Sequence, residues 1–134
     1  MSVSAGKRRR PLVVTVVITL SAIGALSTIG GGRFALRGAK MAAERGADVP
    51  PALVPELISG MVLSVIILLV APFLWKGFRW AHVAFLVLLA LNLLMILRAA
   101  IIGGFIATHV FFLGEPLLLI VLLLTPAARD YCTR

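Results

Sequence analysis

Between Pro11 and Thr125 the sequence holds four apolar runs, at about 11–31, 54–75, 80–101 and 105–125. Each is long enough to cross a bilayer, since about 20 mostly apolar residues in a helix span roughly 30 Å of hydrocarbon. No other feature restricts the fold as much. Lipid offers backbone amides and carbonyls no partner, so only helices and closed barrels can span it. A barrel needs strands of about ten residues that alternate apolar and polar. "MVLSVIILLVAPFLW" and "VAFLVLLALNLLMIL" are apolar on every face, so all four runs read as helices.

The expected fold is therefore an all-α integral membrane protein, with four transmembrane helices in a compact bundle. It divides into a basic N-terminus (1–10), a membrane domain (11–125) with an outer loop at 32–53, and a tail (126–134). The chain is 61% hydrophobic and 13% charged over 134 residues. Soluble domains carry about 25% charge, and once four spans are subtracted no sizeable soluble domain remains.

Thirteen Lys and Arg residues against five Asp and Glu give a net charge of +8. These cations flank apolar runs and are not interleaved with aromatic residues that could stack bases, so nucleic acid is not an expected partner. Flanking cations set topology and meet anionic headgroups. With the N-terminus inside, Lys7, Arg8, Arg9, Arg10, Lys76, Arg79, Arg129 and Arg134 lie on the cytoplasmic side, and Arg33, Arg37, Lys40, Arg45 and Arg98 on the outer side. The balance favours both termini inside. A signal peptide would also begin with basic residues, but this first apolar run continues through Ile29, so an uncleaved helix is expected.

The second half of the first run is rich in small residues. Ser21 and Ala25, and likewise Gly24 and Thr28, are four apart, the spacing that lets helix backbones approach closely. Ser21, Gly24, Ala25 and Thr28 thus mark a packing face, for another helix of this chain or for another chain. "RFALRGAKMAAERG" at 33–46 favours helix and reads as a short amphipathic segment on the outer surface, closed by Gly46. Trp75, Lys76, Arg79 and Trp80 form an interfacial belt at a short turn, making the second and third spans a helical hairpin.

Five polar side chains interrupt the runs or their ends. At 1.5 Å per residue, Glu56 and Arg98 fall near the outer interface, His109 below them, and Asn92 and Glu115 close to the midplane. Intramembrane ionisable groups face a bundle interior or a water-filled path. Gly114 and Pro116 bracket Glu115, and a proline inside a helix removes one backbone hydrogen bond and favours a kink. Three roles for Glu115 stay open: a neutral carboxyl hydrogen-bonded to Asn92, a contact with a partner subunit, or ion and proton handling. His82, at the inner edge, is expected to be interfacial.

Enzymatic signatures are missing from the sequence. It has no Ser/His/Asp set, no HExxH and no glycine-rich phosphate loop. His109 and Glu115 are six apart and do not share a helix face, so no metal site is expected, and His82 and His109 lie near opposite leaflets, which disfavours a haem. A single cysteine, Cys132, forms no internal disulfide. No cofactor is implied. The expectation is a non-catalytic membrane protein of the bacterial cytoplasmic membrane, acting as an accessory or assembly subunit of a larger membrane complex. The alternative is a homo-oligomeric small transporter or channel with a path along Glu115 and His109.

Overall fold

The computed structural model describes residues 11–103 and 107–133, of which 102–103 and 107–112 by backbone alone. It is all-helical, 86% helix with no strand among the described residues. The helices are α1 (Leu12–Glu44), α2 (Leu53–Trp75), α3 (Arg79–Gly103), α4 (Ala107–Leu123) and a short α5 (Pro126–Tyr131). Three of them, α1, α2 and α3, are long and apolar enough to cross a membrane. In α4 the apolar stretch Leu113–Leu123 is shorter.

The first difference from the sequence expectation is the length of α1. Its 33 residues run without a break through Gly30, Gly31 and Gly32 into the segment expected to lie separately on the surface. Glycine in a helix costs about 1 kcal/mol relative to alanine. That cost is outweighed here by the strong helix formers of 33–44 and by packing at Gly32, where a Cβ would come within 2.8 Å of Met61 Cγ and Sδ. Only 45–52 remain as a connection.

Both α1 and α2 end in the same way. Gly46 has φ +77° and Gly77 has φ +79°, the left-handed conformation that glycine adopts without a Cβ penalty. The amides of Gly46 and Ala47 donate to the carbonyls of Ala43 and Ala42 at 3.0 and 2.9 Å, and those of Gly77 and Phe78 to Leu74 and Phe73 at 3.0 and 3.2 Å. Two Schellman motifs result. The second has the apolar contact that accompanies the motif, with the Phe73 and Phe78 rings 6.1 Å apart.

The core lies toward the end of the bundle where α1 begins and α5 packs. Val14 and Val17 of α1, Ala71 and Leu74 of α2, Ala81 and Phe85 of α3, Leu119 and Leu123 of α4, and Ala128 and Cys132 in the tail pack as one buried cluster. The start of α1, the end of α2, the start of α3 and the end of α4 therefore meet, and α1 to α4 run up and down in turn.

The tail closes this end, and it is more ordered than the sequence suggests. Pro126 disfavours helical conformation in the residue before it, and Thr125 is extended (ψ 147°). This ends α4 and places the proline in the first turn of α5, where its missing N–H costs nothing. The last carbonyls of α4 are thereby freed. Thr125 Oγ1 donates to Leu122 O at 2.6 Å. His82 Nε2 donates to Leu123 O at 2.8 Å. His82 is 9% exposed, so it caps the end of α4 from inside the bundle. From α5, Tyr131 Oη donates to Trp75 O at 2.7 Å.

Candidate functional site

Where the four long helices meet, a small polar cavity of about 40 Å³ opens among hydrocarbon side chains. Each helix contributes to its wall. From α1 come Ser21, Gly24, Ala25 and Thr28; from α2, Ser64 and Ile67; from α3, Leu89 and Asn92; from α4, Glu115, Pro116 and Leu119. The four α1 positions are spaced 0, 3, 4 and 7, one stripe of a helix. The small residues read as a packing face thus also line a cavity. Small side chains there let backbones close in on either side while leaving a gap between them.

Glu115 stands at the mouth of the cavity and is exposed in the monomer. Its carboxyl reaches across to α1, where a Cβ on Gly24 would collide with Oε1 and approach Cδ at 3.1 Å and Oε2 at 3.3 Å. Gly24 is therefore the gap through which the carboxyl enters. The hydrogen bond to Asn92 that the sequence suggests is not formed among the described residues, although both side chains border the same space.

The hydroxyls divide into two kinds. Thr28 Oγ1 donates to Gly24 O at 2.9 Å and Ser64 Oγ to Gly60 O at 2.9 Å, each bonding back one turn along its own helix. Their hydrogens are committed and their lone pairs are not. Ser21 is 5% exposed, yet its Oγ has no hydrogen-bond partner among the described residues. A buried polar atom without a partner costs about 1–3 kcal/mol, which singles out this serine.

The remaining residues named from the sequence lie elsewhere. Glu56 is exposed in the first turn of α2 and Arg98 is exposed on α3, with no ion pair between them among the described residues. Neither borders the cavity. The side chain of His109 and residues Arg8, Arg9 and Arg10 lie outside the described residues. Arg33, Arg37, Lys40, Lys76 and Arg79 are exposed. Gly114 and Pro116 do not interrupt α4, which is helical from Ala107 to Leu123 with Pro116 inside it. Pro116 is buried and lines the cavity.

Sequence reasoning passed over Ser64, although it was recognisable as a hydroxyl four residues after Gly60 in an otherwise apolar run. A second feature, an apolar groove of about 570 Å³, separates α2 from α3 toward the start of α2, with Ile58, Val62, Leu91 and Met95 in its walls. No group of three or more His, Cys, Asp or Glu side chains suited to a metal ion occurs among the described residues. No family model, curated protein or solved structure matches the chain.

Proposed function

We propose that this chain is a non-catalytic, multi-pass protein of a bacterial cytoplasmic membrane, with four spans and both termini inside. It acts as an accessory or assembly subunit that docks on a larger membrane complex. The observation that carries this reading is the length of α1. At 1.5 Å per residue its 33 residues extend about 50 Å, against about 30 Å of hydrocarbon. Residues 33–44 thus project roughly 18 Å beyond the lipid as a continuation of a spanning helix.

The projecting part has one charged face. Arg33, Arg37, Lys40 and Glu44 follow at helical spacing and all are exposed. Like charges four apart, as at Arg33 and Arg37, work against a helix by a few tenths of a kcal/mol. A basic stripe on a rod fixed in the membrane suits an acidic surface of a neighbouring membrane protein.

The deciding measurement is the native mass of the protein extracted from its own membrane in mild detergent, for the natural chain and for an Arg33→Ser/Arg37→Ser/Lys40→Ser variant. Unrelated chains bound in fixed ratio, and lost from the variant, support the reading. A homo-oligomer alone overturns it.

That second outcome would favour a homo-oligomeric transporter or channel, for which the four-helix polar cavity is the supporting observation. Glu115 at its mouth and His109 higher on α4 would then line the path. Substituting Glu115→Gln should abolish a pH-dependent flux in liposomes under that reading and leave docking on a larger complex intact.

A further inference from the structure

We propose that the cavity among α1, α2, α3 and α4 is a binding site for a single small monovalent cation, with Na⁺ as the type. Glu115, Ser21, Ser64, Thr28 and Asn92 would supply the oxygen ligands. The inference concerns the cavity alone and holds whether or not the chain docks on a larger complex.

The chemistry of the wall selects the ligand. Five polar side chains border the cavity, and none is a Lys, Arg or His. Thr28 and Ser64 have given their hydrogens to Gly24 O and Gly60 O, so only lone pairs are left to face a ligand. Ser21 Oγ, buried and without a partner among the described residues, can turn its lone pairs inward as well. The Asn92 amide adds a carbonyl oxygen. Oxygen ligands of this kind suit hard cations. An anion would meet the Glu115 carboxylate and find the Asn92 amide and one serine as its only donors.

Charge and size narrow the class. One carboxylate neutralises one positive charge, whereas Ca²⁺ takes six to eight oxygens and usually several carboxylates, and Mg²⁺ demands an octahedral shell with several waters. At about 40 Å³ the cavity is far below the roughly 300–1,000 Å³ of sites for organic ligands, which leaves a small ion as the occupant that fits. The arrangement also explains Gly24. With a side chain there the Glu115 carboxyl could not lie against α1, and the one anionic ligand would be turned out of the cavity.

The test uses the purified full-length chain in detergent, with NaCl replaced by choline chloride at constant ionic strength. Na⁺ is expected to raise Tm by several degrees, saturably. Ser21→Ala should raise the half-saturating Na⁺ concentration about tenfold, and Glu115→Gln should abolish the response. Should Glu115→Gln fail to fold, the natural chain alone decides. Reaction of Glu115 with a hydrophobic carbodiimide, located by peptide mass, is expected to slow several-fold in Na⁺ relative to choline. Equal Tm and equal labelling rates in the two salts would mean that the cavity takes water only, and the proposal would be overturned.

Discussion

His82 at the start of α3 holds the last open carbonyl of α4, with Nε2 2.8 Å from Leu123 O. The two residues are 41 positions apart in the chain, and the bond exists because Pro126 stops α4 before that carbonyl finds a helical donor. Replacing His82 with Phe keeps a ring in place and removes the donor. An unsatisfied buried carbonyl costs about 1–3 kcal/mol, so His82→Phe should lower stability by that amount in detergent unfolding. His82→Gln, which retains an N–H donor, should recover part of the loss. A His82→Phe variant as stable as the natural chain would show that the carbonyl finds another partner.

Gly24 and Glu115 should be energetically coupled. A Cβ at position 24 meets the end of a flexible side chain and not a backbone atom, so Gly24→Ala is expected to be accommodated by a swing of the carboxyl. In a background where Glu115 is already Ala, the same change should be neutral or stabilising, because alanine is the better helix former by about 1 kcal/mol. Contacting residues show coupling energies of about 0.5–3 kcal/mol. A double-mutant cycle on unfolding in detergent that returned no coupling would contradict the contact.

The two left-handed glycines offer an internal comparison. At Gly46 an added Cβ meets open space, whereas at Gly77 it would lie 3.0 Å from Tyr131 O and 3.3 Å from its Cε1. Gly46→Ala should therefore cost only the left-handed backbone penalty, about 1–2 kcal/mol. Gly77→Ala should cost more, since it also presses α5 away from the turn between α2 and α3. Equal losses in parallel melting curves would argue against the docking of α5.

Cys132 lies in the tail, outside the spans, and is 3% exposed. Burial pushes its thiol pKa up, because the thiolate is the form that loses solvation. Maleimide should react slowly with the folded chain at neutral pH and quickly once it is unfolded. The sign for stability follows from the same shift. A pKa that is higher in the folded state leaves stability intact below the pKa of the unfolded thiol, and stability falls as pH rises from there through the folded value. Cys132→Ser should flatten that alkaline decline in a pH series of melting temperatures.

The helical class was legible in the sequence because apolar runs of this length leave lipid-embedded backbone no other way to satisfy itself. The small-residue stripe of α1 was equally legible, since its spacing alone puts Ser21, Gly24, Ala25 and Thr28 on one side. What those positions border was not, because a cavity arises from the fit of four helices and no single helix records it. Sequence depth brought Asn92 and Glu115 to a similar level, but could not tell a shared cavity from a hydrogen bond. The end of α1 was misread because the three glycines at 30–32 resemble a break, and only the proximity of Met61 shows why Gly32 belongs inside the helix. The bond made by His82 was not legible for a related reason: the carbonyl it serves is freed by a proline 44 positions later.

The bond from Tyr131 to Trp75 spans 56 positions, which gives the chain a timetable. At about 5–20 residues per second, a ribosome needs roughly 3–11 s to make Tyr131 after Trp75. During that interval α2 and α3 can enter the membrane as a hairpin, but the end of the bundle where the core is densest stays unfastened. The clasp between α5 and the end of α2 forms only after Tyr131 has been made.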